Sequence, residues 1–315
     1  MTKQTSDIDL SNSSDSSYHI PVLLHETIQG LAIKPNGVYV DATFGGGGHS
    51  REILKLLGDN GKLFVFDQDA DAKKNVPEDN RVVFIQQNFR HLQKFLRVQK
   101  ITKVDAILAD LGVSSHQFDE AERGFSIRFD GALDMRMDVR QTKTAAEVIA
   151  TYSASQLHKL FERYGEVTNA KTLAKTIVSK RQTALIETIR QFKQAVAEDV
   201  KGNPNKYFAQ VFQALRIEVN DEMGALQELL ASSIDLLNTN GRIAIITFHS
   251  LEDRIVKNFF KNGALEQQEA DEVFGTRPNN PLKIVTKKPI VASEEELKRN
   301  TRSRSAKLRV AEKIL

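Results

Sequence analysis

Four consecutive glycines at positions 45–48 lie between an apolar run and an amphipathic stretch, in VYVDATFGGGGHS, residues 38–50. Such a run suits a turn whose backbone touches a ligand, since a side chain would hold the ligand off and tight strand-to-helix turns use φ values that other residues resist. The stretch 50–57 places Ile53, Leu54 and Leu57 on one helical face. The start of that helix would turn free N–H groups toward a carboxylate or phosphate. Asp67 closes the next apolar run, about 20 residues beyond the glycines, where a carboxylate can accept both hydroxyls of a ribose. These residues read as a cradle for a nucleoside-containing cofactor.

For such groups to meet, strand ends must deliver them. Apolar runs at 62–67, 82–86 and 104–110 alternate with helical stretches near 69–76 and 91–99. That alternation predicts right-handed βαβ units and a parallel sheet, whose ligands sit at the carboxyl ends of the strands. Asp41, Asp67, Phe89 and Asp110 fall at or just past four such ends, so one crevice is expected to receive all four. A helix running from His19 toward Pro35 precedes the cradle. After Asn220 the pattern resumes with a helix over 223–238, a buried strand over 241–248 and a helix near 251–261. His249, Ser250, Glu252 and Asp253 follow that strand. Runs at 282–289 and 306–312 predict a hairpin-like pair closing the sheet edge. The fold class is α/β, a Rossmann-like sheet of about seven mostly parallel strands carrying an inserted all-helical domain.

The insert is expected over 140–220. Its apolar stripes are Leu157, Leu160, Phe161 and Tyr164; Leu173, Ile177 and Val178; Leu185, Ile189, Phe192 and Val196; and Phe208, Val211, Phe212 and Leu215. It holds thirteen Lys and Arg against seven Asp and Glu. That surface is either a solvated face or a phosphate-binding one. The cofactor domain then comprises 19–139 and 221–315, behind a disordered polar tail at 1–18. Segment 111–138 has no sustained period yet mixes Phe118, Phe125 and Phe129 with arginines, which reads as a functional loop. Arg302 and Arg304 crowd one loop near the C-terminus and suit phosphate contact.

The chain has 315 residues, a formal charge of +3 and no cysteine. Zero cysteines excludes disulfides, thiolate zinc sites, cysteine nucleophiles and the zinc base deaminases, and fits a reducing cytosol. No metal site shows ligand spacing. No run approaches the roughly 18 apolar residues of a membrane helix, and no signal-peptide pattern opens the chain, so a cytoplasmic protein without a membrane partner is expected. A nicotinamide-dependent oxidoreductase would use a similar turn and acid, but the glycines lack G-x-G-x-x-G spacing and no hydride-site pair is evident. A non-catalytic RNA-binding module would explain the basic insert and leave the crevice unexplained.

The motifs TFGGGGHS, DLGVSS, AERGFS, DGALDMRMD, FQALRIEVNDE, FHSLEDRIVK and RSRSAKLRVAE together resemble the MraW family. These are class I S-adenosylmethionine-dependent 16S rRNA cytosine-N4 methyltransferases, and the likeness runs from about His19 to Glu312. It implies S-adenosyl-L-methionine as cofactor and 16S rRNA or the small ribosomal subunit as partner, with room for a homodimer. It also implies that Gly47, Gly48 and His49 hold the methionine part, Asp67 the ribose and Phe89 the adenine surroundings. Asp110 and Gln117 would lie nearest the reacting centre, where Asp110 either accepts a hydrogen bond from the target amine and then its proton, or only orients the cofactor. Such enzymes need the base unstacked. Phe125 and Phe129 either stack on it, with Arg123, Arg128 and Arg136 gripping neighbouring phosphates, or pack this loop onto the insert. The chain departs from the family at Gly46, where many relatives carry Arg, and at 203–210, which lacks a His-Pro and an Arg.

Overall fold

The computed structural model describes residues 21–265 and 279–315. The expected tail at 1–18, the helix start at His19 and part of the loop before Leu282 lie outside the described residues. The chain opens with α1 (Leu24–Leu31), β1 (Val38–Asp41), α2 (Gly48–Leu56), β2 (Lys62–Phe66), β3 (Val82–Ile85), α3 (Leu92–Val98), β4 (Val104–Asp110) and α4 (Ser115–Asp119). Helices α5 (Ala145–Thr151), α6 (Ala154–Gly165), α7 (Ala170–Lys180), α8 (Ile189–Ala195) and α9 (Pro204–Asn220) follow. The chain then runs through α10 (Glu222–Leu236), β5 (Leu237–Thr247), α11 (Ser250–Asn262), β6 (Leu282–Ile284), α12 (Glu294–Arg299) and β7 (Lys307–Lys313).

The strands form one seven-stranded sheet in the order β3-β2-β1-β4-β5-β7-β6. Strands β1 to β5 pair in parallel, and β7 runs antiparallel to both β5 and β6. The order reverses between β1 and β4, which opens a crevice at their carboxyl ends. The expected antiparallel pair does close the sheet edge, with β6 outermost and β7 between it and β5. Strand β6 itself stops at Ile284, short of the expected run, although Val285 and Thr286 still donate to the Val310 carbonyl and Ile290 bridges to Leu308. The helix expected near 69–76 is a single 3-10 turn, Ala70–Asn75, capped by Asp69. Val76, extended ahead of Pro77, stops the segment from continuing as an α-helix.

Alternation along the strands explains the layers. Val40, Phe64, Phe66 and Ile107 belong to one buried apolar cluster, and Tyr39, Leu63, Val65 and Leu108 to another. The sheet is thus covered on both faces, as parallel strands require. A third cluster gathers the helical stripes of α6, α7, α8 and α9, with Phe161, Phe192, Val211, Phe212 and Leu215 at its centre. Each such side chain contributes about 1.5–3 kcal/mol by leaving water. Leu185 breaks its expected stripe and is 74% exposed, because α8 begins only after the capping residue Thr188. Helix α9 meets α10 through one left-handed residue, Asp221 at φ 47°. That joint turns the chain from the helical cluster back to the sheet.

Candidate cofactor cleft and acceptor site

The glycine turn is built by three residues of different necessity. Gly45 and Gly47 take φ of +51° and +73°, and a Cβ on Gly47 would come within 2.8 Å of the Phe44 ring. On Gly48, at the start of α2, a Cβ would lie 2.1 Å from Pro21 Cγ. Gly46 has neither constraint, since a Cβ there meets nothing within 4 Å. The departure at Gly46 therefore leaves the turn itself untouched. Pro21 and Val22 form the wall facing this turn, and the next residue is tied down by a hydrogen bond from Leu23 N–H to Glu296 Oε1 of α12 at 2.8 Å.

A cavity of about 700 Å³ lies over the carboxyl ends of β1, β2 and β4. It brings together Gly48, His49, Asp67, Phe89, Asp110 and Gln117 from the expected set, with Gly45 and Gly46. Gly47 turns away from it and serves the bend. Asp41 corrects the expectation of four converging strand ends: it is 1% exposed and sits beneath the turn. Its Oδ2 accepts from Ser50 Oγ at 2.7 Å and its Oδ1 from Thr43 N–H at 3.1 Å, which pins α2 to β1. Burial pushes its carboxyl up to about 6.

Asp67 accepts Gly45 N–H at 2.7 Å through Oδ2 and Asp69 N–H at 2.8 Å through Oδ1. Each oxygen keeps a lone pair toward the cleft, enough for a ribose diol. Burial moves its carboxyl up to about 6, against the two N–H bonds. His49 donates Nε2–H to the Val22 carbonyl at 3.0 Å, which leaves Nδ1 as the lone-pair side, 3.9 Å from Asp110 Oδ2. Burial lowers the imidazole to about 4, so it is neutral at pH 7. Asp110 stands well above the usual carboxylate range, first through burial, then through the like charges of Asp41 and Glu252. Its Oδ1 is buried and has no hydrogen-bond partner among the described residues. A buried orphan acceptor of this kind is costly unless a ligand satisfies it.

The segment after β4 is organised by Asp69, which the sequence reading passed over. Asp69 Oδ2 accepts from Gln117 Nε2 at 2.7 Å and from Arg123 at 2.8 Å. Gln117 in turn closes a capping box with Ser114 at the start of α4. The available signal was the spacing Asp67, Asp69, Asp71, in which the first two acids each accept the N–H two residues on. Three residues expected to meet substrate lie elsewhere. Arg123 is committed to Asp69 and to the Arg136 and Met137 carbonyls. Phe125 is 7% exposed within the helical core. Arg136 forks onto Asp134 and donates to the Val139 and Gln141 carbonyls. Arg302 reaches the cleft mouth and pairs with Asp119 at 2.9 Å, while Arg304 is exposed beside it.

At the far end of the cleft Glu222, His249 and Glu252 hold ligand atoms within 4.8 Å of one another. Arg216 already forks onto Glu222, Nε to Oε1 at 2.8 Å and a terminal nitrogen to Oε2 at 3.0 Å. That guanidinium supplies the positive charge a divalent cation would bring. Six carboxylates and three Lys or Arg side chains line the cleft, and among the described residues neither Asp67 nor Asp110 pairs with Lys or Arg. The interior therefore favours a cationic ligand. No helix among the described residues is long and apolar enough to cross a membrane.

A sheet of this order, with a glycine turn after its first strand and an acid after its second, defines a Rossmann-like methyltransferase of class I. The chain belongs to the MraW methylase family, whose model matches residues 16–314. It is 53% identical over 302 residues to the Ribosomal RNA small subunit methyltransferase H of Parabacteroides distasonis, covering 95% of this chain and 99% of that one. Against the protein of the same name from Bacteroides thetaiotaomicron the identity is 52%, over 94% and 98% of the two chains. Among solved structures, an rRNA methylase from Streptococcus thermophilus aligns at 12% identity with a TM-score of 0.40, over 94% and 99% of the chains.

Proposed function

We propose that this protein methylates the exocyclic N4 amine of a cytidine in the 16S rRNA of the small ribosomal subunit. The relatives' shared name supports the RNA class. The observation that carries the chemistry is Asp110, whose buried Oδ1 has no partner at the junction of the glycine turn with the β4 and β5 ends. Gly48 and His49 border the methionine part of the cofactor, Asp67 its ribose and Phe89 its adenine. When bound, S-adenosylmethionine supplies a methyl group already activated on a sulfonium, so the chain's task is alignment.

The amine of cytosine is a poor nucleophile because its lone pair is delocalised into the ring. Asp110 accepts one of its N–H bonds, which localises that pair on nitrogen, and takes the proton released as the new N–C bond forms. A positive charge beside Asp110 offsets the burial that raises its pKa and favours the ionised carboxylate this role needs. His49, neutral and fixed by the Val22 carbonyl, stands 3.9 Å from Asp110 and adds no charge beside it.

Radiolabelled methyl transfer into small-subunit particles, with mass spectrometry of 16S rRNA from a strain lacking the protein, tests the reading. Asp110→Asn should lower the transfer rate by roughly 10²–10⁴-fold, the range for a lost general base. Undiminished transfer by that variant would remove Asp110 from the chemistry. An unchanged 16S rRNA modification pattern in the deletion strain would remove the substrate.

A further inference from the structure

A second cavity, of about 500 Å³, lies between residues 127–130 and the helices α8 and α9. Its floor is apolar, with Ile189 and Phe208 nearly buried. Its rim carries three cations, Arg128, Arg190 and Lys193, against one acid, Asp130. Lys193 Nζ is 5.3 Å from the Phe208 ring centroid and donates to the Ile127 carbonyl at 3.2 Å. Beside it Phe129 is 46% exposed, an aromatic face turned to solvent in a segment whose other phenylalanines, Phe118 and Phe125, pack inward. An apolar slot with an exposed ring and a cationic rim is the combination that holds an unstacked base between its flanking phosphates.

The slot and the cofactor cleft are separate cavities linked across Phe118. Arg302 lines the mouth of that cleft and Arg128 lines the slot. Both guanidinium groups lie over the Phe118 ring, 5.6 and 6.0 Å from its centroid. This Arg-Phe-Arg strip is a cationic track between the two cavities. The cleft interior is acidic and repels phosphate, so a strand that placed one neutral base in the cleft would keep its backbone on the track.

Resting on the methyl-transfer reading above, we infer that this slot is a second nucleotide site, taking an unpaired base that flanks the target in the same RNA strand. RNA fits the slot better than an acidic protein segment because the rim cations are paired with an exposed aromatic face and joined by the track to the proposed target site. The site would fix which cytidine reaches the cleft, since strand length between slot and cleft sets the register.

The test uses the full chain, a single-stranded RNA of twelve nucleotides containing one cytidine, and a tetramer centred on the same cytidine. Phe129→Ala should weaken binding of the longer RNA by about 5- to 150-fold, the equivalent of one lost base stack. Arg190→Ala should lower the slope of log affinity against log salt by about 0.7. Ala197→Trp fills the slot without removing charge and should reproduce the loss seen with Phe129→Ala. Binding of S-adenosylhomocysteine, tetramer binding and thermal unfolding should stay within about twofold or a degree or two of the unaltered protein in all three variants.

Affinity for the twelve-nucleotide RNA equal to that of the unaltered protein in Phe129→Ala and Ala197→Trp overturns the slot while leaving the methyl-transfer reading intact. Unchanged RNA affinity with lost binding of assembled subunits also overturns it, and assigns the slot to an acidic protein segment. Failure of the unaltered protein to methylate small-subunit RNA overturns the reading on which the slot rests.

Discussion

Asn220, the last residue of α9, is 3% exposed and joins three parts of the molecule. Its Oδ1 accepts from Met137 N–H at 2.7 Å, and its Nδ2 donates to the Met135 carbonyl at 2.7 Å and the Arg216 carbonyl at 2.9 Å. Met135 is held at φ 62°, a left-handed conformation that costs a non-glycine residue roughly 1–2 kcal/mol. Asn220→Ala leaves the Met137 N–H and the Met135 carbonyl without these partners, each worth about 1–3 kcal/mol when buried. Asn220 borders the cleft, so water can reach part of the gap, and the expected loss is about 2–4 kcal/mol. At 1.4 kcal/mol per factor of ten, the Met137 amide should exchange with deuterium roughly 30- to 700-fold faster. Asn220→Asp keeps the acceptor for Met137 N–H but turns an oxygen toward the Met135 carbonyl, so it should fall between. Cofactor affinity should drop in both, because Met137 lines the cleft and lies 3.2 Å from the Gln68 amide. Exchange at Met137 within threefold of the unaltered protein in Asn220→Ala would refute the reasoning.

Gly48→Ala should weaken S-adenosylhomocysteine binding by roughly tenfold or more, through an overpacking cost of about 1–3 kcal/mol against Pro21. Gly46→Ala, whose Cβ meets open space, should bind as before, and calorimetric titration of both separates a required glycine from a tolerated one. Asp41 rises from 3.8 to about 6 in the folded protein, so the native state binds the extra proton across that window. Its contribution is complete below pH about 4 and is lost as pH rises through 6, at about 1.4 kcal/mol per unit or roughly 3 kcal/mol in all. Asp67 acts in the same direction and His49, lowered to about 4, in the opposite one. Asp41→Asn keeps the packing with Ser50 and should remove the Asp41 share, so the difference between the two urea-unfolding curves at pH 4 and pH 7 isolates it; identical pH slopes would contradict this assignment.

Local signals were read well where they depend on local physics. Strand β4 was legible to the residue because an apolar run bounded by charges has one way to be buried in a parallel sheet. The α9 stripe was equally plain, with Phe208, Val211, Phe212 and Leu215 all buried. What escaped depends on partners far along the chain. Arg123 meets Asp69 across 54 residues and Met137 meets Asn220 across 83. Neither separation leaves a mark on periodicity, so Arg123, Phe125 and Arg136 looked like free binding groups in an irregular segment. The pairing of β7 with β6 was legible because antiparallel pairing is local in character, whereas the place of β7 beside β5 is a matter of topology. Strand β5 begins at Leu237, ahead of the expected Gly241, and its register against β4 shifts between Leu237 and Arg242, around the left-handed Asn240.

The net charge of +3 conceals a division of labour that the geometry makes explicit. Asp67 and Asp110 sit in the cleft without Lys or Arg partners among the described residues, while Arg302 at its mouth and Arg128 beyond it both lie over Phe118. Under the proposed reaction the cleft must admit a cationic cofactor and an uncharged base while refusing the phosphates attached to that base. Acids inside and arginines at the rim accomplish both with one field. The same arrangement bears on turnover. Transfer of the methyl group converts a sulfonium into a neutral thioether, so the attraction to the Asp110 carboxylate disappears with the reaction, while burial again favours the protonated acid. The spent cofactor is therefore held less tightly by this residue than the loaded one, and the preference should grow as pH rises and the Asp110 carboxyl in the free enzyme ionises.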